Sequence, residues 1–345
     1  MATRLPILKA ESMMKTRRLG AKGPEVSAVG LGCMAMSGTY GPVDDAESIA
    51  TIHEAIGQGV SLLDTGDFYG RGHNELLLRE ALKGGMRDRV FLQVKFGAQL
   101  EPSGRFIGFD GRPASVKTSL TYTLTRLGTD HVDLYQPARL DPAVPIEETV
   151  GAISDLVKAG YVRFIGLSEM GAATIRRAAA VHPVAALQIE YSLMSRSIET
   201  EILPAVQELG IGVTAYGILS RGLLSRVGAS ESGRPDIRGR FPRFQGENLG
   251  RNLRLVQALD RLAKKMGTTA ARLASAWVLS RGDYIVPLLG ARNRQQLRDS
   301  LGALDFLLTP EQLVEIERAI PAAEVAGGRY DDAGMSSLDS ERGRR

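Results

Sequence analysis

The chain has 345 residues, 43% hydrophobic and 24% charged, with 43 basic against 39 acidic side chains and a net charge of +4. That length can bury one large core, and the near-balance of charge leaves no global footprint for nucleic acid while permitting a local basic site for a small anion. The single cysteine, Cys33, excludes an internal disulfide framework, the four scattered histidines argue against a zinc site, and no run of about 18 apolar residues is present to span a membrane.

In chain order, residues 1–14 read as an N-terminal extension with only Leu5 to Leu8 as an apolar core, far short of an export signal. A reducing cytoplasm is the expected location. Short Val/Ile/Leu-rich runs then recur at 27–32, 60–64, 89–96, 131–135, 163–168, 184–191, 211–216 and 284–290. Between them, segments 74–83, 115–127, 147–159, 172–180 and 198–209 space their apolar residues at three and four, as amphipathic helices do. Glu147 and Glu148 suit a helix start, and Gly160 and Gly210 suit helix ends. Strands alternating with helices run parallel, and eight of them predict a closed (β/α)8 barrel over residues 15–322, with an open doubly wound sheet as the alternative. Residues 323–345 read as a poorly ordered C-terminal tail.

The sequence "GLGCMA" from Gly30 to Ala35 matches a dinucleotide fingerprint, but the "MSGTYGPVD" that follows breaks the helix such a motif must open. Residues 217–252 are too long and glycine-rich for a plain connection before the last strand. From 217 to 254, eight arginines against three acids give a local charge of +5, which fits either a solvated surface loop or a flap over a polyanionic ligand.

At the strand ends, "LLDTGDFYG" carries Asp64 out of an apolar run, with Tyr69 in the following turn, and "FLQVKFG" places Lys95 near the end of the next strand. An ammonium in such apolar surroundings needs a partner, and Asp64 is the nearest by topology. A lysine cation against the Tyr69 oxygen would stabilise phenolate and make the phenol an acid near neutral pH. The alternative is a surface lysine on the outer face of its strand and a packing aromatic.

With "LDTGDFYG", "VFLQVKFG", "DLYQPARLDP", "IGLSE", "LQIEYSL", "AYGILSRGLL", "FPRFQGENL" and "VPLLGAR" in this order, residues 15–320 resemble the aldo-keto reductase superfamily, in its branch similar to perakine and pyridoxal reductases. The resemblance implies NADPH-dependent reduction of a small-molecule carbonyl to an alcohol on a (β/α)8 barrel, without metal. It also implies catalytic roles for Asp64, Tyr69 and Lys95: Tyr69 protonates the carbonyl oxygen, Lys95 lowers its pKa and Asp64 holds Lys95. Ser168 and Gln188 would bind the nicotinamide carboxamide, and Tyr216 would stack on the ring. Leu219, Ser220, Arg221 and Gly222 would lie near the pyrophosphate. Gly290, Arg292 and Gln296 would hold the 2′-phosphate of NADPH/NADP+, with Asp299 and Ser300 near the adenine.

The chain departs from that pattern where the strand "DLYQPAR" places Ala138 at the position of the family's catalytic histidine. Loss of that donor is worth roughly 2 to 4 kcal/mol if nothing compensates. Three accounts follow. A working reductase could draw its donor from Arg139, a water or another loop, with Ala138 making room for a bulky ketone and Met34 also lining the pocket. A cofactor-binding, weakly catalytic partner protein is the second account, and an unrelated barrel enzyme for phosphorylated substrates is the third. Glu169 stands where many relatives have asparagine. His53, His131 and His182 read as structural, His73 lies closest to the site, and Trp277 reads as core. Nothing in the pattern decides between monomer and homo-oligomer.

Overall fold

In the computed structural model, which describes residues 14–225 and 237–342, the chain opens with a hairpin of β1 (Thr16–Arg18) and β2 (Glu25–Ser27). Then come β3 (Gly30–Gly32), α1 (Asp45–Gly57), β4 (Leu62–Gly66), α2 (His73–Ala81) and β5 (Phe91–Phe96). A second hairpin, β6 (Ala98–Leu100) with β7 (Phe106–Phe109), precedes α3 (Pro113–Leu127). The alternation continues through β8 (Val132–Pro137), α4 (Ile146–Lys158), β9 (Val162–Ser168), α5 (Ala172–Val181), β10 (Val184–Glu190), α6 (Ile202–Glu208) and β11 (Gly212–Tyr216). It ends with α7 (Gly246–Lys265), α8 (Ala270–Leu279), β12 (Ile285–Gly290), α9 (Arg294–Leu301), α10 (Pro310–Ala319) and α11 (Asp332–Ser336). Strands β3, β4, β5, β8, β9, β10, β11 and β12 close into one parallel barrel, the (β/α)8 architecture that the strand rhythm predicts.

The strands are buried on both faces, so period-two alternation sorts their residues between two environments. Leu63, Leu92, Val94, Ile165, Leu167, Leu187, Ile189 and Val213 point outward and pack under the helices. Leu62, Phe91, Leu134, Ala186, Val286 and Leu288 point inward, and Leu19 and Val26 of the N-terminal hairpin pack against them. That hairpin closes the bottom of the barrel. Gly30 is dictated by this layer, because a Cβ there would stand 2.4 Å from Leu62 and 2.7 Å from Leu288. The inward positions one and two steps farther along the strands are polar: Asp64, Gln93, Lys95, Gln136, Ser168, Gln188 and Thr214. An apolar floor therefore carries a polar storey toward the C-terminal mouth.

Two expectations change. The segment read as a loop to residue 252 ends earlier, because α7 begins at Gly246 with apolar residues at helical spacing facing the core. Residues 226–236 of that segment, with Arg226 and Arg234, lie outside the described residues, as do residues 1–13 of the predicted extension. The C-terminal tail is not loose through residue 342: Arg329 is 5% exposed and Leu338 1%, both packed into the body of the barrel. Charge pairing and apolar burial hold this segment, and composition does not reveal either.

At the N-terminal end of the barrel, Asp133 is 1% exposed and accepts from the Leu92 amide at 2.8 Å, with Arg163 Nη1 at 2.7 Å and Arg87 Nη2 at 2.8 Å. Removing it strands the largely buried Arg87 guanidinium and the Leu92 amide. Asp133→Ala is expected to lower unfolding free energy by about 3 kcal/mol in urea titrations followed by circular dichroism.

Candidate active site

The polar storey centres on Asp64. Lys95 Nζ donates to its Oδ1 at 2.6 Å and its Oδ2 at 2.8 Å, and both side chains are almost wholly buried. Gln188 Nε2 and Gln93 Nε2 add donors to Oδ1 at 2.7 and 3.0 Å. Register explains the geometry: Gly66 on β4 lies beside Lys95 on β5, so the lysine reaches back one pleat to the carboxylate. A Cβ at Gly66 would stand 3.2 Å from the Phe68 ring and 3.4 Å from both the Lys95 Cβ and the Tyr69 ring, so the three side chains pack closely around this position. Lys95 faces inward, which excludes the outer-face alternative.

Tyr69 follows β4 in a tight turn whose Gly70, Arg71 and Gly72 all have positive φ, at 57°, 58° and 93°. The non-glycine Arg71 carries local strain, of the kind that gathers at functional sites. The phenol is 8% exposed, and Lys95 Nζ lies 4.9 Å from its ring centroid. The sequence reading put the ammonium against the oxygen, whereas here it lies over the ring with its charge committed to Asp64. Burial pushes the Tyr69 phenol well above its ordinary value, Asp64 adds to that, and the cation opposing the rise is Arg139. Burial likewise pushes the Lys95 ammonium down, against Asp64.

Ala138 is buried at the end of β8. Arg139 folds back over it, Nη1 donating to the Ala138 carbonyl at 2.6 Å and Nη2 to the Tyr330 hydroxyl at 3.2 Å. Met34 sits partly exposed in the turn after β3, next to buried Cys33, whose thiol is pushed up by burial. His73 meets Ser37 Oγ at 3.0 Å and Asp45 at 3.2 Å, while His53 contacts the Ala81 carbonyl.

Several groups expected to hold a dinucleotide surround this centre. Ser168 Oγ, both amide atoms of Gln136 and Arg221 Nη2 are buried without hydrogen-bond partners. Orphaned polar atoms of this kind fit a ligand bearing an amide and an anionic group. Gln188 differs from expectation, since its amide nitrogen is spent on Asp64. Leu219 leads into a turn in which Ser220, Arg221 and Gly222 all have positive φ, and Ser220 Oγ meets Ser192 Oγ at 3.2 Å. Arg221 is thereby sandwiched, its Cζ 4.2 Å from the Phe241 ring and 4.7 Å from the Tyr330 ring. Beyond β12, Gly290 is exposed, Gln296 Oε1 accepts from the Arg292 amide at 3.0 Å, and Arg292 Nη1 donates to the Tyr40 carbonyl at 3.0 Å. On α9, Ser300 is partly buried, and Asp299 is exposed with Arg272 at 3.5 Å. Of the arginine-rich segment, Arg221 enters the mouth, Arg243 lies 3.6 Å from Glu190, and Arg238 sits 6.0 Å over the Tyr40 ring.

A second charge centre was missed in the sequence. Glu169, at a positive φ of 55°, is gripped by Arg329 at 2.9 and 2.6 Å and accepts from Tyr216 at 2.7 Å. Burial would raise its carboxyl, but Arg329 and Arg139 carry it well below the carboxylate range. Arg329 also reaches Glu190 at 3.4 Å and Glu341 at 3.1 Å. Two acids at neighbouring strand ends, Glu169 and Glu190, were the available signal that a distant cation had to come.

The closed parallel barrel and the ion pair below a phenol at its C-terminal mouth define an enzyme-like barrel with its site at the end where the strands point. Comparisons with known proteins narrow this. Residues 28–321 match the Aldo/keto reductase family. A probable aldo-keto reductase 1 of Glycine max is 41% identical over 93% of each chain. The glycerol dehydrogenase AKR11B4 of Gluconobacter oxydans superposes with a TM-score of 0.79 at 30% identity, covering 89% of this chain and 96% of its own. The holo form of aldo-keto reductase AKR11C1 from Bacillus halodurans gives 0.74 at 28%, covering 90% and 97%. The chain belongs to the aldo-keto reductase family, whose members are oxidoreductases acting on carbonyls with nicotinamide cofactors.

Asp67, in the same turn as Tyr69, is pushed up to about 7 by burial first and by Glu75 second, against Arg126. The folded state therefore holds a proton that the unfolded chain, with an aspartate near 4, does not. Stability from this group is full below the unfolded value and is lost as pH rises through the folded one. Asp67→Asn is expected to raise the thermal midpoint most near pH 8, less near pH 5 and hardly at all below about pH 4, read by scanning calorimetry across that range.

Proposed function

We propose that the protein is an NADPH-dependent carbonyl reductase that reduces an aldehyde or ketone to an alcohol, with Tyr69 as general acid. The observation that carries this reading is the buried Asp64–Lys95 pair directly beneath the Tyr69 ring. A protein that only bound a cofactor would have no use for that arrangement, since two buried charges cost several kcal/mol of desolvation.

When bound, the nicotinamide cofactor supplies hydride to the carbonyl carbon. The remaining work falls to the chain. Ser168, Gln136 and the Gln188 carbonyl oxygen hold the carboxamide, Tyr216 backs the ring, and Arg221 meets the pyrophosphate. Arg292, its amide fixed by Gln296, stands for the 2′-phosphate, which favours NADPH over NADH. At the carbonyl oxygen Tyr69 gives up its proton, and Lys95, anchored on Asp64, stabilises the phenolate that remains.

Arg139 supplies the donor that Ala138 cannot. Its guanidinium lies over Ala138, and its charge opposes the rise of the Tyr69 phenol. A persistent cation there polarises a carbonyl with a full charge, where a neutral histidine offers a single N–H. The small Ala138 leaves space for a bulky ketone.

Tyr69→Phe is expected to lower kcat by at least about 100-fold with an activated aldehyde such as 4-nitrobenzaldehyde, leaving NADPH affinity by fluorescence nearly unchanged. Equal turnover in the variant would remove Tyr69 as the acid. A wild-type protein that binds NADPH yet turns over no member of a broad carbonyl panel would identify the weakly catalytic partner protein instead. Ala138→His, which displaces the Arg139 guanidinium from its resting place, should shift kcat/KM toward small carbonyls by roughly tenfold. An unchanged substrate range would place the position away from the substrate.

A further inference from the structure

Arg139 makes two hydrogen bonds, to the Ala138 carbonyl and the Tyr330 hydroxyl, and neither goes to a carboxylate. A guanidinium has five N–H donors, so these two bonds leave three of them for another acceptor. What fixes its direction is therefore Tyr330, which lies outside the barrel in the C-terminal segment.

The donors along this line can be assigned by counting hydrogens. The Tyr216 hydroxyl spends its proton on ionised Glu169 at 2.7 Å, which leaves only its oxygen for the Tyr330 hydroxyl at 3.0 Å. Tyr330 must then donate to Tyr216, and its own oxygen accepts from Arg139 Nη2. The order runs from Arg139 through Tyr330 and Tyr216 to Glu169 with one polarity throughout. Arg329, next to Tyr330 in the chain, locks the far end by its two bonds to Glu169 and its bonds to Ser340 Oγ and Glu341. The Tyr330 ring is held separately, facing Arg221 and edge-on to Phe241 at 5.6 Å.

We infer that Tyr330 is a positioning residue of the reaction: its hydroxyl aims the Arg139 guanidinium at the carbonyl oxygen, so that the C-terminal segment supplies the direction lost with the absent histidine. This rests on the reductase reading above. The surroundings of the phenol agree. Burial pushes the Tyr330 hydroxyl up, and Arg221 and Arg139 more than reverse this, against Glu190 and Glu169, so it stands below an ordinary phenol.

The test uses the full chain with NADPH and 4-nitrobenzaldehyde. Tyr330→Phe keeps the ring against Arg221 and removes only the hydroxyl. It is expected to lower kcat about tenfold, the loss of one well-placed hydrogen bond, with the NADPH dissociation constant within about twofold of wild type. Arg139→Gln should lower kcat further, and adding Tyr330→Phe to it should change nothing more, since a positioning residue has no effect without the group it positions. An unchanged kcat in Tyr330→Phe, or a full tenfold loss on top of Arg139→Gln, overturns the inference. Ultraviolet difference titration gives a readout independent of turnover: the phenol that disappears in Tyr330→Phe should titrate at higher pH in Arg139→Gln. If it does not move, the contact is absent in solution and the inference falls alone. If it moves but wild type reduces no carbonyl, the reductase reading falls and takes this role with it.

Discussion

A carboxylate and an ammonium sealed inside a β-barrel are the constraint around which the rest of the structure is arranged. Asp64 and Lys95 are both almost fully removed from water, and an arrangement that failed either one would leave an uncompensated charge in the protein interior. The surrounding architecture meets that requirement in successive ways. Gln93 and Gln188 add donors to Asp64, and the register of β4 against β5 sets Lys95 within reach of it. The apolar floor, capped by the N-terminal hairpin, keeps water from entering below.

A second buried charge centre lies on the opposite side of the mouth, where Glu169 and Glu190 receive Arg329. The two centres differ in purpose. The first is local to neighbouring strands and sits under the phenol. The second joins strand ends β9 and β10 to a segment more than a hundred residues farther along the chain, and so decides where that segment lies. Arg139 and Arg221 occupy the space between them, and Tyr330 touches both. The mouth therefore holds cations whose counter-charges are shared across several elements, an arrangement suited to an anionic cofactor and a polarised carbonyl.

Much of this was legible in the sequence because period and position carry physical meaning. Apolar runs alternating with helical spacing predicted the barrel, and an aspartate ending one strand beside a lysine ending the next predicted their meeting. The N-terminal hairpin and the β6–β7 hairpin were not read, since their three- and four-residue strands leave too little pattern to detect. The helix beginning at Gly246 was hidden by the glycines and arginines that precede its apolar stripe. The direction of the Lys95 ammonium relative to the Tyr69 oxygen was equally out of reach, because it depends on a side-chain torsion rather than on spacing. Arg329 was missed for a different reason: a polar, charged terminal stretch is compositionally the same whether it is solvated or drawn in by two buried acids.

The anchoring of Arg329 and Leu338 against the strand ends makes the entrance a composite of distant parts of the chain. The barrel strands end at Gly290, yet the wall that carries Tyr330 comes about forty residues later in the chain. Cleavage between Gly290 and Arg329 would take from Glu169 and Glu190 their shared cation, leaving Tyr216 to the first and Ser195 and Arg243 to the second. The entrance is thus finished only once that later segment folds back onto the strand ends.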